Sequence, residues 1–447
     1  MQSALSIARN SALVFGTHGV ALVAGLLSSI LTARFLGPEG RGALIVVNIT
    51  TNLLALLAGL GLSYSLTYFI GKDRISPQQA LGFATLAAFF LGGMALVAGL
   101  AAFILLEDSV FEGIALGAML AGLASLPAAM FTELWQSTRM ARGDFTSAAA
   151  LQNLSTLVLF GVTAVILVPL AGSVAYLLIG LSVALWVVAG LGWMWSFRQE
   201  GISLRLPRAL LREVFGYGGT VYLGSLVNSV YLRVDSYILN ALGGTAQVGQ
   251  YSVALTLNER LWVAESSIAQ AALPVVIRSG REEAARLTAL TARTSLVITA
   301  VPAGFLGLAA PWLIPFLYGA AFEPAVLPLQ LLLAGTVAYP PGRAFANYFS
   351  GQLGRPRITT LVAFGTAAVS VVLFLLLIPP FGASGAAAAS SIVYAGVTVV
   401  LLWLFTRHTK LPLRGVVLPT MDDASVYRNV ATRLTGRLRI LVSRGGS

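Results

Sequence analysis

Apolar residues along this chain come in long runs, which are separated by small clusters of glycine, proline and charged residues. About 20 residues of helix cross the ~30 Å hydrocarbon core of a bilayer. The runs therefore predict membrane-spanning helices almost from end to end. Twelve spans are predicted, at roughly residues 11–33, 43–70, 80–106, 113–136, 147–170, 174–197, 214–242, 249–277, 287–318, 325–350, 358–378 and 384–406.

Composition agrees with a membrane protein and excludes large soluble domains. The 447 residues are 57% hydrophobic and 10% charged, with a mean hydropathy of +0.85, whereas soluble domains carry about 25% charged residues. Cysteine is absent and histidine occurs twice, so we expect neither disulfides nor a metal site. The first apolar run is about twice as long as a signal-peptide core and is predicted to be a retained span.

Positive charge is concentrated in alternate connections between the predicted spans. About 23 of the 28 basic residues lie in one set of connections and the tail, while the opposite set holds only Arg34 and Arg41. Because cytoplasmic loops carry the excess of Lys and Arg, both termini are predicted to be cytoplasmic. The formal charge of +11 then indicates anionic membrane lipid, rather than nucleic acid, as the partner of the basic loops and tail.

The turn that joins spans one and two, Leu36–Gly42, is similar to the turn that joins spans seven and eight, Leu242–Gly249, at an offset of about 206 residues. A repeat of six spans keeps its orientation and predicts two parallel lobes related by an axis along the membrane normal. The predicted division is an N-lobe at 1–197, a cytoplasmic linker at 198–213, a C-lobe at 214–406 and a basic cytoplasmic tail at 407–447. The tail is either an amphipathic helix on the inner leaflet or disordered.

Four short stretches, in order along nearly the whole chain, are typical of one family. They are Ala33–Gly42; Asp235 with Gly243 and Val248–Ser252; Leu317–Gly319 with Phe322; and Gly354–Pro356 leading to Leu377–Gly382 and Gly385–Ala387. Together they resemble the polysaccharide transporter, or oligosaccharide flippase, branch of the multidrug/oligosaccharidyl-lipid/polysaccharide exporter superfamily. The resemblance implies an all-α polytopic protein with two six-helix lobes around a central cavity. It also implies transport of undecaprenyl-diphosphate-linked glycans from the inner to the outer leaflet.

Ionisable side chains inside predicted spans are the best pointers to function, because a charge at the bilayer centre costs at least ~2.5 to 3.5 kcal/mol. Some of them are predicted to form buried ion pairs between neighbouring helices, and some to face a cavity and bind substrate phosphate or a coupling ion. Arginine suits a diphosphate because its planar fork donates two parallel hydrogen bonds. The candidates for substrate binding are Arg343, Arg260, Arg233 and His18, and those for charge pairing or ion coupling are Asp235, Glu259 and Glu265.

Arg343 differs from the other arginines because no acidic residue lies within a helical turn of it. It follows Pro340-Pro341-Gly342, a sequence that is predicted to break or kink the helix. Substrate binding in the inner half of the cavity and snorkelling toward the inner headgroups are both compatible with its position. His18, predicted at a similar depth, is compatible either with the cavity or with packing between helices.

The sequence contains no catalytic constellation and no glycine-rich phosphate loop, so we expect neither an enzyme nor direct use of ATP. The predicted function is a flippase for lipid-linked oligosaccharide, working by alternating access without a cofactor, as a monomer in a bacterial or archaeal plasma membrane. A cation-coupled drug exporter of the same superfamily and a membrane glycan polymerase or ligase are the alternatives.

Overall fold

The protein is mostly helical in the residues that the computed structural model describes, which are 2–204, 210–218, 222 and 233–418. Side chains are not described for residues 2–18 and for several positions between 263 and 274. The helices are α1 (Gln2–Gly59), α2 (Leu62–Gly71), α3 (Pro77–Leu106), α4 (Leu116–Leu123), α5 (Leu126–Ala141), α6 (Phe145–Leu167), α7 (Val174–Glu200), α8 (210–218), α9 (Val234–Arg278), α10 (Arg281–Tyr318), α11 (Val326–Asn347), α12 (Pro356–Thr409) and α13 (Leu413–Val417).

Eight stretches of the described residues are long and apolar enough to cross a membrane, the first being Gly19–Gly59 and the last Pro356–Thr409. These two are longer than one bilayer crossing needs. The multi-pass membrane protein that the apolar runs predict is thereby confirmed. The number of twelve spans stays a prediction, because part of the seventh lies outside the described residues.

Three glycines divide the longest helices into two arms each, and all three lie in predicted connections. Gly37 in α1, Gly244 in α9 and Gly382 in α12 have φ of 66°, 79° and 54° with ψ far from helical values. A side chain rarely adopts such a conformation, which explains why glycine occupies these positions. Each kink therefore joins two consecutive predicted spans.

The prolines of α11 lie inside a continuous helix, so of the two outcomes predicted for Pro340-Pro341-Gly342 the break does not occur and the kink stays a prediction. The helix continues from Val326 through both prolines to Asn347. The irregularity comes afterwards, as a π-helical turn at Tyr348–Gln352. Neighbouring helices can hold a proline-containing segment helical within a membrane protein, which is the physical reason why the helix continues.

The chain forms two compact units, which are described separately. Unit 1 contains the described residues up to Leu257 together with Ala309–Leu331 and Ala367–Ala389. Unit 2 contains Asn258–Leu308, Leu332–Thr366 and the described residues from Ser390 onward. Each has its own apolar core, with Leu66, Trp135 and Val188 in unit 1 and Phe345, Tyr348 and Phe405 in unit 2. The lobe boundaries given above stay predictions.

Candidate functional site

Within unit 1, the two repeated turns pack directly against each other. A Cβ atom at Gly42 would overlap the carbonyl oxygen of Thr245, and one at Gly249 would overlap the carbonyl oxygen of Pro38. Glycine at both positions thus allows main chain to touch main chain. We call this contact, formed by Pro38, Gly42, Thr245 and Gly249, the kink-end seam.

The kink-end seam is reciprocal and gives the register of the internal repeat. Gly42 and Gly249 are about 207 positions apart, and so are Pro38 and Thr245 and the two kinks Gly37 and Gly244. The offset is one residue longer than comparison of the turn sequences suggests. A reciprocal contact is what a pseudo-two-fold relation between two repeats produces.

Two hydrogen bonds beside the kink-end seam are also reciprocal between the two halves of the sequence. The Arg34 Nε donates to the carbonyl oxygen of Leu317 at 2.8 Å, at the end of α10. The Asn240 Nδ2 donates to the carbonyl oxygen of Val110 at 2.8 Å, just beyond the end of α3. Each half of the sequence therefore supplies a donor to unpaired helix-end carbonyls of the other half. The acceptors Val110 and Leu317 are about 207 positions apart and the donors Arg34 and Asn240 about 206, so the two interactions lie at corresponding places in the repeat, with the donors offset by one residue.

Arg41 lies inside the kink-end seam and is only 1% exposed. Its Nε donates to Ser252 Oγ at 2.7 Å, its Nη1 to Thr32 Oγ1 at 3.0 Å and its Nη2 to Ser29 Oγ at 2.9 Å. The guanidinium also lies 5.7 Å from the ring centroid of Tyr318. Arg41 lies in the connection predicted for it, just after the Gly37 kink, but this connection is folded between the two halves of unit 1 and buries the side chain.

Asp235 is buried, with 4% exposure, and joins the two arms of α9. Its carboxylate accepts a hydrogen bond from the Tyr251 hydroxyl at 2.8 Å and another from the Ser236 backbone nitrogen at 2.7 Å. The charge of Arg233 also acts on it. The prediction for spans seven and eight was ion pairs between their charged residues. The contact that Asp235 makes across the kink is instead a hydrogen bond from a tyrosine, and the ion pairing stays a prediction.

Unit 2 brings together two of the predicted site residues, Glu265 and Arg343. The Arg343 Nη1 donates to Glu265 Oε2 at 3.0 Å. The Glu265 side chain is 1% exposed, whereas that of Arg343 is 33% exposed. On the other side of the carboxylate, Ser295 Oγ lies 3.5 Å from Glu265 Oε1. The acid that Arg343 lacks along its own helix is therefore supplied by α9.

Three aromatic rings lie near this ion pair. The ring centroids of Trp262 and Tyr339 are 5.4 Å apart, those of Trp262 and Tyr394 5.6 Å and those of Tyr339 and Tyr394 5.0 Å. Tyr339 lies close enough to Glu265 and Arg343 to interact electrostatically with both. Trp262 Nε1 is buried with no acceptor among the described residues. We call Glu265, Ser295, Arg343, Trp262, Tyr339 and Tyr394 the Arg343 cluster.

The Arg343 cluster combines a partly exposed cation with aromatic side chains that have polar ends. A guanidinium presents a planar set of donors to phosphate oxygens, and tyrosine and tryptophan offer apolar faces together with a hydroxyl or an N–H group. Ligand sites commonly combine apolar walls with a few polar groups. The cluster can therefore bind an anionic group that carries a ring-shaped, partly apolar substituent.

The remaining predicted site residues are not part of the Arg343 cluster. Arg260 has a buried Nε with no partner among the described residues. Glu259 and Arg233 both have further interactions within the protein. The side chain of His18 lies outside the described residues, so its predicted role stays untested. Sequence reasoning missed Arg41 and the aromatic rings. The only signals for them were the position of Arg41 inside the repeated turn and the nearness of Tyr339 to Arg343 in sequence.

Solved structures with a similar fold are membrane transporters. The protein is similar to the lipid II flippase MurJ in an inward closed conformation, with a TM-score of 0.74 and 13% identity over 91% of this chain and 88% of that one. An inward-facing multidrug resistance MATE family transporter of the MOP superfamily gives a TM-score of 0.70 and 17% identity, over 87% and 94% of the two chains. A MOP superfamily transporter from Pyrococcus furiosus gives 0.64 and 16%, over 91% and 95%. At these identities the likeness concerns the fold.

At the level of sequence, no curated protein matches this chain. The profile of the polysaccharide biosynthesis protein family matches residues 7–279, which is more than half of the chain. This match includes both repeated turns and Glu265. The resemblance to polysaccharide transporters is thereby confirmed, and with it the all-α polytopic fold. The chain is a multi-pass membrane protein of the polysaccharide biosynthesis protein family with the fold of MOP superfamily transporters.

Proposed function

We propose that this protein is a flippase that moves undecaprenyl-diphosphate-linked oligosaccharide from the inner to the outer leaflet by alternating access of two lobes. Arg343 binds the diphosphate, and the rings of Trp262 and Tyr339 contact the first sugars, with the buried Tyr394 ring packed behind them. The prenyl tail stays in lipid. The observation that carries the proposal is the Arg343 cluster, where a partly exposed guanidinium lies beside aromatic rings in a membrane protein of this family.

Glu265 holds the Arg343 guanidinium in place from one side and leaves its other donors for a ligand. An arginine with a buried counter-ion is less costly inside a membrane than a free one, because the ion pair offsets part of the desolvation. A substrate phosphate would then add hydrogen bonds to a side chain that is already positioned. The buried acid also offers a site for proton coupling, as the position of Glu265 within its span predicts.

The reciprocal kink-end seam supports alternating access. Two parallel repeats that meet at one end can rock about their contact and expose a central cavity first on one side and then on the other. The seam lies at the connections with few basic residues, which are the predicted outer ones. In the proposed cycle the seam is closed while substrate enters from the inner leaflet and parts to release it outside.

Reconstituted vesicles test the proposal directly. A fluorescent undecaprenyl-diphosphate-linked glycan is placed in one leaflet, and its headgroup is followed as it reaches the other. We expect translocation by the wild type, at least ~tenfold loss in Arg343→Ala, and partial recovery in Arg343→Lys, which keeps the charge without the fork. Arg198→Ala is the matched control, because Arg198 is exposed on α7.

The same vesicles separate the alternatives. New glycosidic bonds in the recovered lipid would indicate a glycan polymerase or ligase. Cation-dependent efflux of a cationic dye without headgroup translocation would indicate a drug exporter. Full translocation by a well-folded Arg343→Ala protein would contradict the role of Arg343 and leave snorkelling as the better account of its position.

A further inference from the structure

We infer that Arg41 is a latch, a positioning residue that holds the kink-end seam closed and sets how often it opens. The inference rests on the proposed alternating access, which gives opening of the seam a purpose. The latch itself is a property of unit 1 and can be measured without transport.

The guanidinium of Arg41 divides its hydrogen bonds between the two halves of the sequence. On its own side it donates to Thr32 Oγ1, Ser29 Oγ and the carbonyl oxygen of Ser29. Across the seam it donates to Ser252 Oγ at 2.7 Å and lies 3.5 Å from Thr256 Oγ1. The planar fork of the guanidinium carries five N–H donors, which lets this one side chain reach acceptors on both sides of the seam at once.

The cation–π contact with Tyr318 gives Arg41 a third helix as partner. Tyr318 ends α10 and is 1% exposed. Its hydroxyl lies 3.5 Å from Ser29 Oγ, which Arg41 also contacts. Parting of the seam would therefore break the contacts with α9 and α10 together, while those within α1 could remain.

All acceptors that the described residues offer to Arg41 are neutral oxygens. Burying a cation without a carboxylate costs desolvation free energy, which the hydrogen bonds must offset. The closed and open states of such a contact differ less in free energy than those of a buried ion pair, where opening separates opposite charges. Neutral acceptors thus suit a contact that has to open in every cycle.

The repeat supplies only one latch. At the offset of about 207 residues, the position equivalent to Arg41 is Val248, which is fully buried and apolar. The glycines and the helix-end hydrogen bonds are duplicated across the seam, whereas the arginine is not. Its loss therefore has no substitute in the second half, and a single substitution suffices as a test.

The experiment uses the lack of cysteine in this chain. Thr50 is 5% exposed, and its hydroxyl accepts a hydrogen bond from Tyr237 across the two halves of unit 1 at 3.0 Å, without touching Arg41. In Thr50→Cys protein in lipid nanodiscs, the rate of alkylation by a charged maleimide measures how often this contact opens. Nanodiscs expose both faces of the protein, so the result does not depend on the predicted orientation.

We expect Arg41→Ala to raise this alkylation rate by about tenfold or more, corresponding to ~1.4 kcal/mol, and Arg41→Lys by less. Ser252→Ala should act in the same direction. Two controls accompany them. Arg198→Ala removes an exposed charge and should leave the rate unchanged, and Thr163→Cys, 4% exposed in α6, should stay unreactive unless the protein unfolds.

An unchanged rate at Thr50→Cys in folded Arg41→Ala protein would overturn the latch. A parallel increase at Thr163→Cys would also overturn it, because Arg41 would then stabilise the whole unit rather than the seam. A raised rate at Thr50→Cys in a protein that moves no lipid-linked glycan would retain the latch and reject the proposed function.

Discussion

Glu265 and Arg343 form an ion pair between α9 and α11, in which the acid is almost fully buried and the base is one-third exposed. The two residues lie 78 positions apart in the chain. Because of this difference in exposure, a ligand can reach the arginine, whereas the buried carboxylate needs the arginine as its counter-ion. The pair is thus both a structural contact and the central part of the proposed substrate site.

Removal of either partner of this pair is expected to destabilise the protein. Loss of Arg343 leaves a buried carboxylate uncompensated, which costs ~3 to 5 kcal/mol in other proteins, and toward the lower end here because Arg343 is partly exposed. Glu265→Ala and Arg343→Ala should each lower the melting temperature, and the double variant should recover part of the loss. Strictly additive effects in this double-mutant cycle would contradict coupling between the two charges.

An exposed ion pair provides the comparison for that cycle. Arg74 Nη1 lies 2.7 Å from Glu213 Oε2, and both side chains are 48% exposed. The hydrogen bond and charge of Arg74 hold the pKa of Glu213 below its ordinary value. Because solvent screens this pair, Arg74→Ala and Glu213→Ala should change the melting temperature little.

The kink-end seam predicts that Gly42 and Gly249 do not tolerate even one added methyl group. Gly42→Ala and Gly249→Ala each place a Cβ onto a carbonyl oxygen of the other turn, so we expect a loss of ~1 to 3 kcal/mol in stability or a seam that cannot close. Thermal unfolding and alkylation of the Thr50→Cys thiol measure the two effects. Gly190→Ala, where nothing lies within 4 Å of the new methyl group, should be neutral or slightly stabilising.

Asp144 precedes α6 and lies between two spans. We expect its carboxylate to contribute to the stability of the fold in a pH-dependent way. Its carboxylate accepts from the Ser147 backbone nitrogen at 3.1 Å and pairs with Arg139 at 3.3 Å. Burial raises the pKa of Asp144, but the hydrogen bonds and the charge of Arg139 outweigh it and lower the pKa below the ordinary value. The contribution is therefore present above the ordinary carboxyl pKa and is lost as the pH falls through the lowered one.

Asp144→Ala should accordingly lower stability by ~1 kcal/mol at neutral pH, as loss of a helix cap does. Melting curves should show this difference shrinking below about pH 4. Asp144→Asn keeps an acceptor for Ser147 and should show a smaller difference. If the difference in melting temperature between Asp144→Ala and wild type does not change with pH, the role of the Asp144 charge is contradicted.

Membrane orientation can be checked by single cysteines at exposed positions. The charge asymmetry predicts that Ser109→Cys and Ser173→Cys react with an impermeant thiol reagent in intact cells, while Ser76→Cys and Ser279→Cys react only after permeabilisation. Ser76, Ser109 and Ser173 are exposed, so the reactivity of a cysteine at each of them reports on which side of the membrane it lies and not on its burial. Reaction of Ser76→Cys in intact cells would invert the predicted orientation.

The sequence by itself determined that this is a multi-pass helical membrane protein and where the glycine kinks of its longest helices lie. Apolar runs of bilayer length leave few alternatives to membrane helices, because every backbone polar group in lipid must be satisfied internally. Gly37, Gly244 and Gly382 lie where the sequence predicted connections, since a positive φ selects glycine whatever the tertiary context. The repeated turn was visible for the same local reason.

Only the tertiary structure decided which polar groups meet. Hydropathy counts Arg41 as a charged residue in a connection, and its place inside the repeated turn does not reveal that two halves of unit 1 close over it. The pairing of Glu265 with Arg343 and of Asp235 with Tyr251 depends on how helices are rotated and spaced. Sequence periodicity gives the face of each helix but not its neighbour, because contacts between helices are chosen by packing over the whole fold.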